Sequence, residues 1–201
     1  MTVPSSEVRS RLGVDERRAQ LLELGMQLFS GHSFEELSVD DISRAAGISK
    51  GLIYHYFESK RGFYVACIRA SAEQLRSDTE HAVEAAPLDQ LRAGLDAYLG
   101  YVERHARAYL TLFRGGIGFD PEVGKIVEET RQHFVERMLQ NLDAHVAKLP
   151  RVRNALRGYI GFVEAAAMDW ADHHDVDRDA LLELLLTMAE HTVQTVGALP
   201  G

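Results

Sequence analysis

A chain of 201 residues with 46% apolar and 26% charged residues can bury one substantial core, or join a small domain to a larger one. Its formal charge is −8, no apolar run reaches membrane-spanning length, and the single cysteine, Cys67, excludes an intramolecular disulfide and a cysteine-cluster zinc site. With no apolar h-region near Met1, these features predict a chain with no membrane partner in a reducing cytoplasm. The acidity is uneven: residues 1–62 hold eight Lys and Arg against nine Asp and Glu, net −1, and the remainder carries −7. A near-neutral N-terminal part predicts modest non-specific attraction to polyanions and leaves more to site-specific contacts.

Residues 1–14 read as a flexible arm. Arg9 and Arg11, with Arg17 and Arg18 just beyond, either reach nucleic-acid phosphate or a minor groove or belong to a solvated tail. From Asp15 a helix is expected, with Leu21, Leu24, Leu28 and Phe29 at helical spacing, and Phe29, Phe34, Val39 and Ile42 closing a three-helix core. Ser38 stands three residues before Asp41 and caps a helix whose dipole the acid complements. Gly47 ends that helix, and Ser49 caps a second one running through Tyr56. Ile48, Ile53 and Phe57 are spaced to lie against the first helix, which leaves Lys50, Gly51, Tyr54 and His55 facing outward. A cation, a bare backbone position, a phenol and an imidazole, almost without carboxylate, suit a helix lying in a major groove. Two short helices and a tight turn are the helix-turn-helix.

Residue for residue, AGISKGLIYHYFESK resembles the recognition segment of the TetR family of bacterial transcriptional regulators, and the resemblance spans roughly residues 15 to 65. It implies an all-α fold with an N-terminal three-helix helix-turn-helix DNA-binding domain, residues 15–62, and a C-terminal helical bundle for effector binding and dimerisation, residues 63–201. By the same resemblance Lys50, Gly51, Leu52, Tyr54 and His55 face base edges or nearby phosphates, Leu52 suiting a thymine methyl and Lys50 guanine acceptors. Ser38, Ser49, Tyr56 and Lys60 would fix register through phosphates. The family usually places glycine directly before the aromatic at position 34; this chain has Ser33 there and Gly31 two residues earlier, so either the first helix ends sooner or Ser33 takes a strained conformation. Asp40 falls where the family approaches DNA. It would repel phosphate, accept from cytosine, or serve the helix dipole, and the last is favoured.

Ser59 is expected to cap a long helix from Lys60 to about Ala85, packed on the reading head through Phe63, Ala66, Cys67 and Ala70. Pro87 opens another, on which Leu88, Leu91, Leu95, Tyr98, Val102 and Tyr109 form an apolar stripe interrupted by His105, a core histidine or a polar handle inside a cavity. The glycine-rich Arg114–Phe119 stretch reads as a turn rather than a phosphate cradle. Asp120 and Pro121 then start a helix to about Leu149, and Pro150 separates it from one spanning Arg151 to about Asp172, apolar almost all round, whose Gly158, Gly161 and Ala165 permit close helix approach. Asp177 caps a last helix with two apolar faces, Leu181–Leu185–Met188–Thr192 and Leu182–Leu186–Ala189–Val193–Val196. Two such faces predict a homodimer through the last two helices.

The resemblance implies a ligand-responsive regulator, by the family's default a repressor, that binds a double-stranded palindromic operator as a dimer, its half-sites about 34 Å apart. A small hydrophobic or amphipathic effector would release it. Tyr98, Tyr101, His105, Tyr109, Phe113, Phe134, Met138, Tyr159, Phe162 and Trp170 are the candidate ligand-binding residues, and Glu164, the lone charge in its run, is assigned to solvent. No catalytic residue, cofactor or metal is expected. The alternative is an all-helical enzyme or metal-binding protein using Asp169, Asp172, His173 and His174.

Overall fold

The computed structural model describes residues 13–80, 86–114 and 120–198, and among them ten helices and no strand occur. In order these are α1 (Val14–Gly31), α2 (Val39–Ala46), α3 (Lys50–Phe57), α4 (Lys60–Thr79), α5 (Pro87–Arg104), α6 (Ala106–Arg114), α7 (Pro121–Gln140), α8 (Ala144–Ala147), α9 (Pro150–His173) and α10 (Arg178–Ala198). Two buried clusters organise them. The first joins Leu21 and Phe29 of α1, Ile42 of α2, Ile53 and Phe57 of α3, and Phe63, Tyr64, Val65 and Cys67 of α4. The second is built from α5, α6, α7, α9 and α10 around Leu99, Val102, Leu156, Ala167 and Leu185, and takes Leu75 from the far end of α4. α4 is therefore the rod between the cores, but not the sole link. Val123 and Ile126 of α7 are buried in the first cluster, while Val135 of the same helix is buried in the second.

The α4–α7 seam is reinforced by charge. Asp120 caps α7 by accepting from the Glu122 N–H at 2.9 Å, and Arg61 grips the same carboxylate with Nε at 2.6 Å and NH2 at 2.7 Å. Hydrogen bonding from Arg61 outweighs the desolvation that opposes it, and the helix-terminal N–H groups add to it; the Asp120 carboxyl is held down at about 2. Arg69 reaches Glu122 and Glu129 from two turns further along α4.

Several boundaries differ from those read in the sequence, each for a local reason. α1 ends at Gly31 and His32 is extended; Ser33 is unstrained, because its hydroxyl accepts from the Glu36 N–H while Glu36 accepts from the Ser33 N–H. α4 stops at Thr79, whose hydroxyl turns back onto the Leu75 and Arg76 carbonyls, rather than continuing toward Ala85; residues 81–85 lie outside the described ones. The 88–109 stripe is two helices. His105 is the C-cap of α5, its N–H donating to the Tyr101 and Val102 carbonyls. α7 ends at Gln140, and the short α8 precedes Pro150. The N-terminal arm up to residue 12 and residues 115–119 of the glycine-rich turn lie outside the described residues.

Candidate nucleic-acid interface and effector cavity

The turn between α2 and α3 is built by local chemistry. Ser38 Oγ accepts from the Asp41 N–H at 3.2 Å, and Asp41 Oδ2 accepts from the Ser38 N–H at 3.1 Å. Hydrogen bonds from the Ser38 hydroxyl and N–H hold the Asp41 carboxyl below its ordinary value. At the other end Gly47 takes φ 63°, ψ 31°, a left-handed conformation that only glycine adopts cheaply, and donates to the Arg44 and Ser43 carbonyls. The chain then reverses so that Ile42 and Ile53 meet with no exposed surface, and Phe57 packs edge-on against Phe63 at 4.8 Å. With Ile53 and Phe57 fixed inward, helical geometry turns the rest of α3 outward. Ser49, Lys50, Gly51, Tyr54 and His55 are exposed, Tyr54 by 46%, and Leu52, Tyr56 and Lys60 are half-buried along the edge.

The helix ends differ in what they offer an anion. Both Ser38 donors are engaged with Asp41 inside the cap of α2, so this residue is tied to helix initiation before it can meet a phosphate. Ser49 stands at the N-cap of α3, yet its hydroxyl makes no capping bond there, contrary to the sequence reading; the backbone closes the turn through Leu52 N–H to the Ser49 carbonyl. The first turn of α3 contains no acid. Its N-terminal amides, the Ser49 hydroxyl and Lys50 thus form a positive end able to receive a phosphate oxygen. Lys60 opens α4, again without an acid in the first turn, and its ammonium lies 4.2 Å from the centre of the Phe34 ring.

Asp40 stands in the first turn of α2, where it complements the helix dipole as the sequence favoured, and it has a second partner. Its carboxylate meets Lys50 Nζ at 2.5 Å across the α2–α3 turn, with both side chains about half exposed. An exposed pair of this kind stabilises by less than about 1 kcal/mol, so phosphate can compete for the lysine. The carboxylate still offsets one cation on the reading face. Asp40→Asn is expected to tighten binding to random duplex DNA several-fold and to steepen the logarithmic salt dependence by about one, as one more effective cation would. Anisotropy titrations across a salt series check this; an unchanged slope would mean that Lys50 does not approach the backbone.

In the helical bundle a cavity of about 360 Å³ lies between the C-terminal end of α4 and α5, α7, α9 and α10. Tyr98, Phe134, Met138 and Tyr159 line it. Tyr101, His105, Tyr109, Phe162 and Trp170 do not. Tyr109 stands behind Tyr98, hydroxyl to hydroxyl; His105 caps α5 with its ring against Tyr101; Trp170 donates to the Val176 carbonyl near the end of α9; Phe162 packs on the bundle core. The Phe113 side chain lies outside the described residues. Most of the wall is aliphatic, from residues whose spacing marks them only as core: Leu91, Leu95, Leu156, Ile160, Val163 and Val193. Burial pushes both phenols up; the contact with Tyr109 adds to the rise at Tyr98, while the hydrogen bond with Tyr98 only partly offsets it at Tyr109, so both stay neutral.

Glu164 also borders the cavity and corrects the assignment to solvent. Its side chain is only 14% exposed, and Arg131 of α7 holds both its oxygens at 2.7–3.0 Å. The acidic end of α9 is likewise structural in its geometry. His173 lies against Asp169 one turn earlier, and His174 takes φ 51° as the C-cap. Among the described residues no three His, Cys, Asp or Glu side chains converge as a metal site would require.

Comparison with known proteins agrees with this architecture. Residues 21–67 match the model of the bacterial regulatory proteins of the tetR family, and residues 87–190 match that of the tetracyclin repressor-like C-terminal domain. The HTH-type transcriptional activator FasR of Mycolicibacterium smegmatis is 25% identical over 183 residues, covering 87% of this chain and 81% of that protein. EthR of the same organism, an HTH-type transcriptional regulator, is 34% identical over 90 residues, 45% of this chain and 42% of its own length. A tetR-family transcriptional regulator from Streptomyces coelicolor superposes with a TM-score of 0.79 at 29% identity, covering 93% of this chain and 82% of that one. No helix among the described residues is long and apolar enough to cross a membrane. The chain belongs to the TetR family: it is a helix-turn-helix transcriptional regulator that binds DNA, not an enzyme.

Proposed function

We propose that α3 reads an operator in the major groove and that a ligand in the bundle cavity controls this reading. Gly51, Leu52, Tyr54 and His55 meet base edges and sugars, Ser49, Lys50, Tyr56 and Lys60 hold the flanking backbone, and Ser38 keeps α2 in place beneath them. The observation that carries this is the acid-free N-terminus of α3 with its exposed cation, phenol and imidazole. One helix reads too few bases, so the operator is a palindrome read by two copies. The dimer forms through α9 and α10, where Leu184 and Met188 stand exposed and an added Cβ at Gly158 or Gly161 would meet nothing within 4 Å.

The effector is apolar or amphipathic, matching the aliphatic cavity wall. It acts only through a difference in affinity between two spacings of the reading heads. Release of a repressor is the default for this arrangement; the relative FasR is named an activator, so activation is the second reading. Working in the cytoplasm fits both.

Fluorescence anisotropy with fragments from the gene's own upstream region tests the interface. The protein is expected to bind one palindromic fragment tightly and salt-sensitively, and Tyr54→Ala to weaken that complex by roughly tenfold to a hundredfold. The same weak affinity for every fragment, indifferent to Tyr54→Ala, would remove α3 from the interface. Transcription of the bound promoter in a purified system, with and without the regulator, decides between repression and activation.

A further inference from the structure

Three charged residues border the bundle cavity: Arg137, Glu164 and Glu190. They are not equivalent. Glu164 is neutralised by Arg131, and Glu190 is exposed on α10, where water screens it. Arg137 is half-buried on α7 beside Phe134 and Met138, in a wall that is otherwise largely apolar. Among the described residues its guanidinium meets no carboxylate. NH1 donates to the Thr79 carbonyl at 2.7 Å, a neutral acceptor at the last turn of α4. A guanidinium has five N–H donors in a planar fork, so this bond leaves the Nε–NH2 side for a second acceptor. A half-buried cation without an anion is an incomplete arrangement, since desolvation of the charge is repaid only by a counter-charge or by further hydrogen bonds.

We propose that the effector is an amphiphile with an anionic head, a carboxylate or a phosphate, which Arg137 binds while the apolar body fills the space between Leu91, Leu95, Leu156, Ile160 and Val163. This rests on the reading of the bundle cavity as the effector site. The same guanidinium would then hold the ligand head and the C-terminal carbonyl of α4 at once, so the ligand's charge is felt at the end of the rod whose other end carries the reading head. Gln90 and Asn141 also line the cavity, Asn141 Nδ2 donating to Gln90 Oε1 at 3.3 Å, and as neutral amides they add no competing charge.

Calorimetric titration of the full chain with dodecanoate, dodecyl phosphate, dodecanol and dodecyltrimethylammonium, all below their micellar concentrations, tests the assignment. One or both anions are expected to bind on the order of tenfold tighter than the alcohol, and the cation weakest. Whichever anion leads identifies the head. Arg137→Gln should erase the preference while leaving dodecanol binding near its wild-type value, and Arg137→Lys should keep part of it. Met138→Trp, which fills the space beside Arg137, should weaken all four. Because the comparison of head groups is made in the wild type, it stands even where Arg137→Gln loosens α4. Equal affinity for alcohol and anions, a preference that survives Arg137→Gln, or tightest binding of the ammonium would overturn the anionic head and leave the cavity reading standing. Absence of binding by all four, or binding indifferent to Met138→Trp, would overturn the cavity reading and this inference with it.

Discussion

Gly62→Ala is expected to disrupt the reading head, although it adds one methyl group in the first turn of a helix, where alanine is intrinsically favoured. The reason lies at the α3–α4 junction. Glu58 takes φ 61°, ψ −36°, a region that L-residues rarely enter, and the Ser59 N–H turns back onto the Phe57 carbonyl at 2.6 Å. This tight reversal lays the end of α3 against the start of α4. Ser59 then caps α4 by accepting from the Gly62 N–H at 2.9 Å. A Cβ on residue 62 would stand 2.2 Å from the Phe57 carbonyl oxygen. The obstacle is backbone, so no rotamer change relieves it; either the reversal opens or α4 shifts away from α3. Overpacking of this kind costs about 3 kcal/mol, a large part of the 5–15 kcal/mol that holds a typical domain together. Thermal melting and DNA titration on the same sample are expected to show a lowered Tm and loss of specific binding. Gly51→Ala is the control for stability: its Cβ would meet only Ser49 Oγ at 3.8 Å, so its Tm should equal or slightly exceed the wild-type value. A Gly62→Ala protein with wild-type Tm would mean that the junction accommodates the methyl group and is looser than this geometry.

That junction also marks the limit of what the chain discloses before folding. Caps and turns written in neighbouring residues were legible: Ser38 with Asp41, Gly47 at positive φ, and Ser59 at the start of α4 all form as their chemistry dictates. The strain at Glu58 was not, because glutamate is an ordinary helix residue and its conformation is imposed by packing of Phe57 on Phe63. The helix break at His105 shows in the sequence only as an interruption of the apolar stripe, because the stepping by three and four resumes beyond it in α6.

Charges were the least legible, because their partners are remote in sequence. Glu164 looked solvated until Arg131, 33 residues earlier, closed on it. Asp40 was legible as a dipole complement, but not the Lys50 that the turn brings beside it. The cavity posed a different difficulty. Aromatic residues were singled out by type, yet whether a side chain fills a core or borders a void depends on what its neighbours leave empty. Tyr109 and Trp170 are therefore buried away from the space that Leu91 and Val163 enclose. The reach of α7 into the first core, through Val123 and Ile126, had no separate signal either: one apolar face serves two cores in succession.

Leu184→Glu combined with Met188→Glu is expected to split the proposed dimer and, with it, tight operator binding. On α10 the residues facing inward, Leu181, Leu182, Leu185, Leu186 and Ala189, are all buried within the protomer. Leu184 and Met188, one turn apart, are left 49% and 39% exposed, and α9 beside them presents the exposed small residues Gly158, Gly161 and Ala165. Apolar knobs on one helix and low ground on its neighbour are the two halves of a self-complementary surface, since a two-fold axis sets the knobs of one copy over the low ground of the other. Four carboxylates brought together across that axis cannot all be desolvated, so association should fail while each protomer keeps its core. Sedimentation equilibrium should then report one 22.5 kDa chain instead of two. Linking two reading heads raises affinity by roughly a hundredfold to ten-thousandfold over one, and the full palindrome should lose that factor in the variant while a half-site fragment binds as before. Unchanged far-UV circular dichroism and Tm would place the loss in assembly rather than folding. A double variant that still sediments as a dimer would move the interface to another face of the bundle, and the exposure of Leu184 and Met188 would need a different partner.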